Sequence, residues 1–129
     1  MGLVVSHITF DCADPNALAG WWAQVLGWER VWELDPADEE VALRSPDAMG
    51  TWLFIKVPDR KSSKNRVHPD LRPPNGSDQA TELARLLELG ATPVDIGQGD
   101  VQWHVLADPE GNEFCLLVRT PAQVADDGD

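Results

Sequence analysis

The chain reads as an α+β protein built from two tandem βαβββ units. Three observations predict this class. An order of extended and helical patterns occurs twice, each helical pattern ends on a glycine, and an offset of 61 residues lays His7 on His68, Gly50 on Gly111 and Val57 on Val118.

In the first half, "SHITFDC" alternates, with His7, Thr9 and Asp11 on one face and Ile8 and Phe10 supplying apolar bulk. Asp14 and Pro15 form an N-cap and first helical residue, and Leu18, Trp21, Trp22 and Val25 recur at helical spacing up to Gly27, a left-handed cap. Three extended runs follow, "ERVWEL", "EVALRS" and "GTWLFIKV", separated by the turn-rich "DPADEE" and "PDAMG". In the second half "RVHPDL" is a short strand. Pro69 belongs at its start or edge, because proline has no amide donor and pushes the preceding His68 toward an extended conformation. "DQATELARLLELG" is a helix with an apolar face of Leu83, Leu86 and Leu87 and a stop at Gly90; "ATPVDI", "VQWHVL" and "NEFCLLVR" are three further extended runs.

With 129 residues the chain is expected to form one domain, with repeat one at about 4–58, repeat two at about 66–119 and a frayed acidic tail at 121–129. Hydrophobic residues at 43% and charged residues at 25% fit a soluble globular protein. No stretch approaches the roughly 20 apolar residues of a membrane span, and no secretory signal is recognisable, so a cytoplasmic location is expected. Two cysteines, Cys12 and Cys115, are too few for a disulfide scaffold and lack C-x-x-C spacing. The net charge of −12 argues against nucleic acid and anionic membrane partners and favours cationic or neutral small molecules. There is no glycine-rich phosphate loop and no G-x-S-x-G elbow. The basic "DRKSSKNR" between the repeats reads first as a solvated linker, with the holding of an anionic substrate group or pairing with the acidic "DPADEE" of a partner subunit as alternatives.

The stretches "FDCADPNALAGWWAQVLGW", "KNRVHPDL" and "LADPEGNEFCLL" resemble the glyoxalase-like branch of the vicinal oxygen chelate superfamily, which includes glyoxalase I, extradiol dioxygenases, fosfomycin-resistance enzymes and bleomycin-binding proteins. The resemblance covers residues 4 to 118. It implies that the strands of both repeats form an open, cup-like mixed sheet with helices outside, in a homodimer. It also implies one metal ligand on the first and one on the last strand of each repeat, at His7, Phe54, His68 and Cys115. Phe54 has no donor atom, which leaves His7, His68 and Cys115 as a degenerate three-ligand set for a divalent metal such as zinc. A buried cysteine is also an ordinary space-filler, and the expectation preferred here is a cup with no resident cofactor.

If Phe54 and Cys115 face inward, so do Trp52, Lys56, Glu113 and Leu117, while Leu53, Ile55, Phe114 and Leu116 pack outward against the helices. Trp52 and Phe54 then form an aromatic wall, with Lys56, Asp70, Trp103 and Glu113 as further substrate contacts. Which of Trp103 and His104 points inward is open. Asp70 shares a strand face with His68 and could orient it or act as a base. The functional expectation is a binder of a flat or cationic small molecule. A metal-dependent lyase, isomerase or dioxygenase using His7, His68 and Cys115 is the alternative; Cys115 as a nucleophile would need a lowered pKa.

Overall fold

The computed structural model describes residues 2–31, 39–46 and 50–127. Trp32 to Leu34 of the expected "ERVWEL" run, and most of the turns "DPADEE" and "PDAMG", lie outside the described residues. The chain falls into two compact units that divide between Arg60 and Lys61.

In the first unit the order is β1 (His7–Cys12), α1 (Pro15–Leu26), β2 (Glu29–Val31), β3 (Glu40–Arg44) and β4 (Thr51–Lys56). The strands form one open mixed sheet in the order β1-β4-β3-β2, with β1 parallel to β4 and the other pairs antiparallel. The Asp14 carboxylate accepts the Ala17 amide at 3.1 Å and Pro15 opens the helix; Gly27, at φ 69°, closes it by donating its amide to the Ala23 carbonyl. Leu18, Ala19, Trp21, Trp22 and Val25 are buried, so the face expected from the spacing is the one that packs.

The second unit repeats the plan: β5 (Asp70–Leu71), α2 (Gln79–Glu88), β6 (Thr92–Pro93), β7 (His104–Ala107) and β8 (Glu113–Leu116), in the sheet order β5-β8-β7-β6. Asp78 caps α2 by accepting the Thr81 amide at 2.8 Å, and that bond holds its carboxyl below the usual aspartate range. Leu86 is buried and Leu83 half-buried, but Leu87 is exposed, so the apolar face of α2 is narrower than expected. Leu106, Phe114 and Leu116 complete the core of this unit.

A short helix, α3 (Pro121–Asp127), runs through most of the acidic tail, whose last two residues lie outside the described ones. Its start is a reciprocal cap: the Gln123 amide donates to the Thr120 hydroxyl at 3.2 Å and the Thr120 amide donates to the Gln123 side chain at 2.8 Å. The "TPAQ" signature was legible in the sequence, and its acidic surroundings obscured it. The longest described helix, α1, has 12 residues, and none is long and apolar enough to cross a membrane.

Strand register corrects one expectation of direct functional weight. His7 pairs with Thr51, whereas Asp70 pairs with Cys115, which puts His68 level with Glu113. With the two histidines superposed, Thr51 therefore matches Glu113 and Leu53 matches Cys115. The expected match of Phe54 to Cys115 is off by one residue, and in a strand one residue reverses the face. Phe54 pairs with Phe10 and stacks on it at 5.1 Å, and Trp52 meets Trp22 of α1 at 5.5 Å and Trp28 at 5.1 Å. Trp52 and Phe54 thus lie on the helix-covered face, while Leu53 and Ile55 lie on the face of His7, the reverse of the expected alternation. The cause is a net gain of one residue in the second repeat: two more residues stand between His68 and Gly90 than between His7 and Gly27, and the turn before β8 is one residue shorter than its counterpart before β4.

That shorter turn depends on Asp108, which is buried. Its Oδ1 accepts the amides of Glu110 and Asn112, both at 2.9 Å, and the Asn112 side chain bonds both oxygens. Gly111 supplies φ 87° at the corner. Replacing Asp108 by Ala should lower the unfolding free energy by about 2 kcal/mol in urea titrations, because two half-buried backbone amides and the Asn112 side chain lose their acceptor at once. Trp22→Ala should cost about 3–5 kcal/mol in the same assay.

Candidate functional site

The parallel pairing of β5 with β8 builds a cluster of metal-ligating side chains in the second unit. Pro69 cannot donate to the ladder, but its carbonyl accepts the Cys115 amide at 3.0 Å, and the Leu71 carbonyl accepts the Leu117 amide at 2.7 Å. These bonds set Asp70 beside Cys115. Alternation puts His68 on the same side, with its Nε2 3.2 Å from Asp70 Oδ1. One donor atom from each of His68, Asp70 and Cys115 lies within 4.8 Å of the other two. Cys115 is buried at the base, and the imidazole and carboxylate are exposed at the rim.

Burial pushes the Cys115 thiol up, and the Asp70 charge and hydrogen bond push it further, to about 11, against a smaller opposing pull from Lys64. At neutral pH the sulfur is a protonated thiol, the opposite of what a nucleophilic cysteine needs. A divalent cation among these atoms would reverse the balance, since it favours thiolate and carboxylate together. An imidazole, a carboxylate and a thiol are all zinc donors, and bonds of about 2.0–2.3 Å would require the donors to close in by roughly 1 Å. The two exposed side chains can make that adjustment. The donor set therefore fits a divalent metal, with a composition changed from the expectation. Asp70 stands as a third donor beside His68 and Cys115, while His7 belongs to the first unit, its Nδ1 2.9 Å from Ser6 Oγ.

Glu113 shares the face of the cluster but is already engaged. Lys61 Nζ lies 3.0 Å from its Oε2, and the Asn65 amide donates to Oε1 at 2.9 Å. Burial alone would raise its pKa, yet the Lys61 and Asn65 hydrogen bonds outweigh burial and hold the carboxyl below the usual range. The basic stretch between the repeats is thus more than a solvated linker: Lys61 and Asn65 fasten it to β8.

The other expected contacts are distributed differently. Trp52 and Phe54 sit among the aromatic side chains of the first unit, Phe54 fully buried, and Lys56 at the end of β4 is exposed. His104 pairs with Leu116 and so lies on the face opposite Cys115. Trp103, just before β7, is 42% exposed and lines a cavity of about 260 Å³ with Arg72, Gln102, Leu117, Val118 and Arg119. The sequence reading did not single out the arginines. The pattern His68-x-Asp70-x-Arg72, polar residues at alternate positions through and beside β5, was the signal that could have found Arg72.

Comparison with known proteins supports the fold. The FosX fosfomycin resistance protein from Listeria monocytogenes, in a variant complexed with Mn(II) and 1S,2S-dihydroxypropylphosphonic acid, superposes with a TM-score of 0.68 at 17% identity, covering 100% of both chains. FosX from Mesorhizobium loti gives a TM-score of 0.68 at 16% identity, covering 97% of this chain and 99% of that one. A glyoxalase/bleomycin resistance protein/dioxygenase family enzyme from Burkholderia phytofirmans PsJN gives 0.67 at 17%, covering 86% of this chain and 94% of that one. At such identities the likeness concerns the fold. No curated protein sequence matches the chain. The sequence profile of the glyoxalase-like domain matches residues 7–117, nearly the whole chain, and with the two βαβββ units it places this protein in the glyoxalase-like domain family of the vicinal oxygen chelate superfamily.

Proposed function

We propose that the protein acts on a small molecule with the help of a divalent metal held by His68, Asp70 and Cys115, in a reaction of the lyase, isomerase or dioxygenase kind. The observation that carries this reading is the convergence of three different donor side chains within 4.8 Å. An ion there would polarise a substrate oxygen and stabilise negative charge developing on it. The chain's own residues supply the rest. The 3.2 Å contact between His68 Nε2 and Asp70 Oδ1 already brings two of the donors together, and the buried thiol closes the base of the site against water. The Lys61–Glu113 pair keeps the neighbouring carboxylate occupied, so it does not compete as a donor.

The thiol also bears on which metal is used. Mn(II) accompanies a FosX neighbour, but a soft sulfur donor favours zinc over manganese. This protein should therefore select zinc. A purely sequestering role for a flat ligand is the second reading, favoured by the cavity at Trp103.

Zinc added to chelator-stripped protein in weak buffer at pH 7 should bind at one equivalent and release about one proton, from the thiol. Cys115→Ser should bind at least tenfold more weakly and release none, an order-of-magnitude expectation for losing one of three ligands. Manganese binding as tight as zinc, or zinc binding unchanged in Cys115→Ser, would count against the reading. In the metal-free Cys12→Ser background, ultraviolet titration of Cys115 should show a midpoint near 11, and Asp70→Asn should move it downward. Because the folded pKa is raised above the unfolded one, the thiol's contribution to stability is present below about 9 and fades as pH climbs toward about 11.

A further inference from the structure

The cavity at Trp103 lies on the same ladder as the donor cluster, one bond further along it. The Pro69 carbonyl accepts the Cys115 amide at the base of the cluster, and the next ladder bond, from the Leu117 amide to the Leu71 carbonyl, stands at the cavity wall. Cys115 and Leu117 are two residues apart on extended backbone, so their side chains share a face and stand about 7 Å apart. On the other side of β8, one position beyond the paired His104 and Leu116, Trp103 comes opposite Leu117. Gln79 Nε2 donates to the carbonyls of Gln102 and Leu116, at 3.0 and 3.2 Å, and so ties the segment carrying Trp103 to β8. The cavity holds about 260 Å³, and its lining includes the half-exposed indole, Leu117 and Val118. Its two arginines are engaged within the protein: Arg72 Nη1 donates to the Arg119 carbonyl at 2.9 Å, and both side chains belong to residues with further partners. What the cavity offers a ligand is therefore an aromatic face and an apolar wall rather than free charge.

We infer that this cavity is the specificity subsite of the metal centre, and that the substrate is a small oxygen chelator carrying an apolar ring roughly 7 Å, a two-residue strand step, from the oxygens that meet the ion. The inference rests on the metal reading and adds to it the class of molecule. A metal site with three protein ligands keeps open positions for substrate oxygens, and the exposed side chains of His68 and Asp70 leave that side accessible. A ring entering beside Trp103 gains twice, because its apolar surface leaves water and its flat face meets the indole. The volume lies just below the usual range for drug-sized ligands, which suits a single ring. Spacing selects as well. A molecule whose chelating group sits directly on its ring falls short of the cavity, whereas a one-carbon or two-carbon spacer spans the step. Binding energy from the remote ring then serves to place the reacting oxygens at the ion.

The test compares acetohydroxamate with phenylacetohydroxamate on the zinc-loaded full chain, since the two carry the same neutral chelating group and differ only in the ring. Phenylacetohydroxamate should bind at least about tenfold more tightly by calorimetry, with the zinc retained. It should also shift the Trp103 indole N–H resonance, which acetohydroxamate should leave in place. Benzohydroxamate, with no spacer before its ring, should show less than the full gain. Trp103→Ala should bring the two affinities together. The main comparison uses the unaltered protein, so misfolding of a variant cannot mask the result. Equal affinities, no binding of either hydroxamate, or a Trp103 resonance that stays still under saturating phenylacetohydroxamate would overturn the inference and leave the metal reading standing. Phenylacetohydroxamate binding as tightly to chelator-stripped protein would detach the cavity from the ion and overturn it too. Zinc that fails to bind at one equivalent would overturn both readings together.

Discussion

The register of β5 against β8 is the constraint on which the functional account rests. Two backbone hydrogen bonds, from the Cys115 and Leu117 amides to the carbonyls of Pro69 and Leu71, decide which side chains meet. Shift that ladder by one residue and Cys115 changes faces with Phe114, the donor cluster disperses, and an aromatic ring replaces the thiol. Proline suits the position because it lends an acceptor to the ladder while asking for no acceptor in return.

The same register separates the two halves of the chain in chemistry, although they share a plan. At the place corresponding to Cys115 the first unit has Leu53, and it fills the opposite face with Phe10, Trp52, Phe54 and the tryptophans of α1. A cluster of that size invests in packing, each buried ring contributing through the area it removes from water. The second unit has a thinner helix face, with Leu86 its one buried side chain, and carries titratable groups instead. Stability and chemistry are therefore unevenly divided between the repeats.

Much of this was legible in the sequence, and the failures have identifiable physical causes. Strand and helix order, both glycine stops and the place of Pro69 just ahead of β5 followed from periodicity and local capping rules. The face of β4 did not, because a constant offset between repeats cannot reveal a one-residue difference in turn length, and side-chain direction alternates with every residue. Pro46 and Pro109, each near the start of the segment joining the last two strands of its repeat, are spaced like Gly27 and Gly90, which was the available clue. The pairing of His68 with Asp70 could be read from their spacing. The third donor's identity required knowing which strand lies beside β5. The arginines at Trp103 were hidden by the net charge, a whole-chain quantity that says little about one cavity.

The central claim is that sulfur, nitrogen and oxygen from one unit converge on a single ion, and zinc-edge X-ray absorption of the zinc-loaded protein tests it most directly. The account predicts one sulfur scatterer at about 2.3 Å with nitrogen and oxygen at about 2.0–2.2 Å. A zinc spectrum with no sulfur shell, in protein whose Cys115 is intact and reduced, would contradict it.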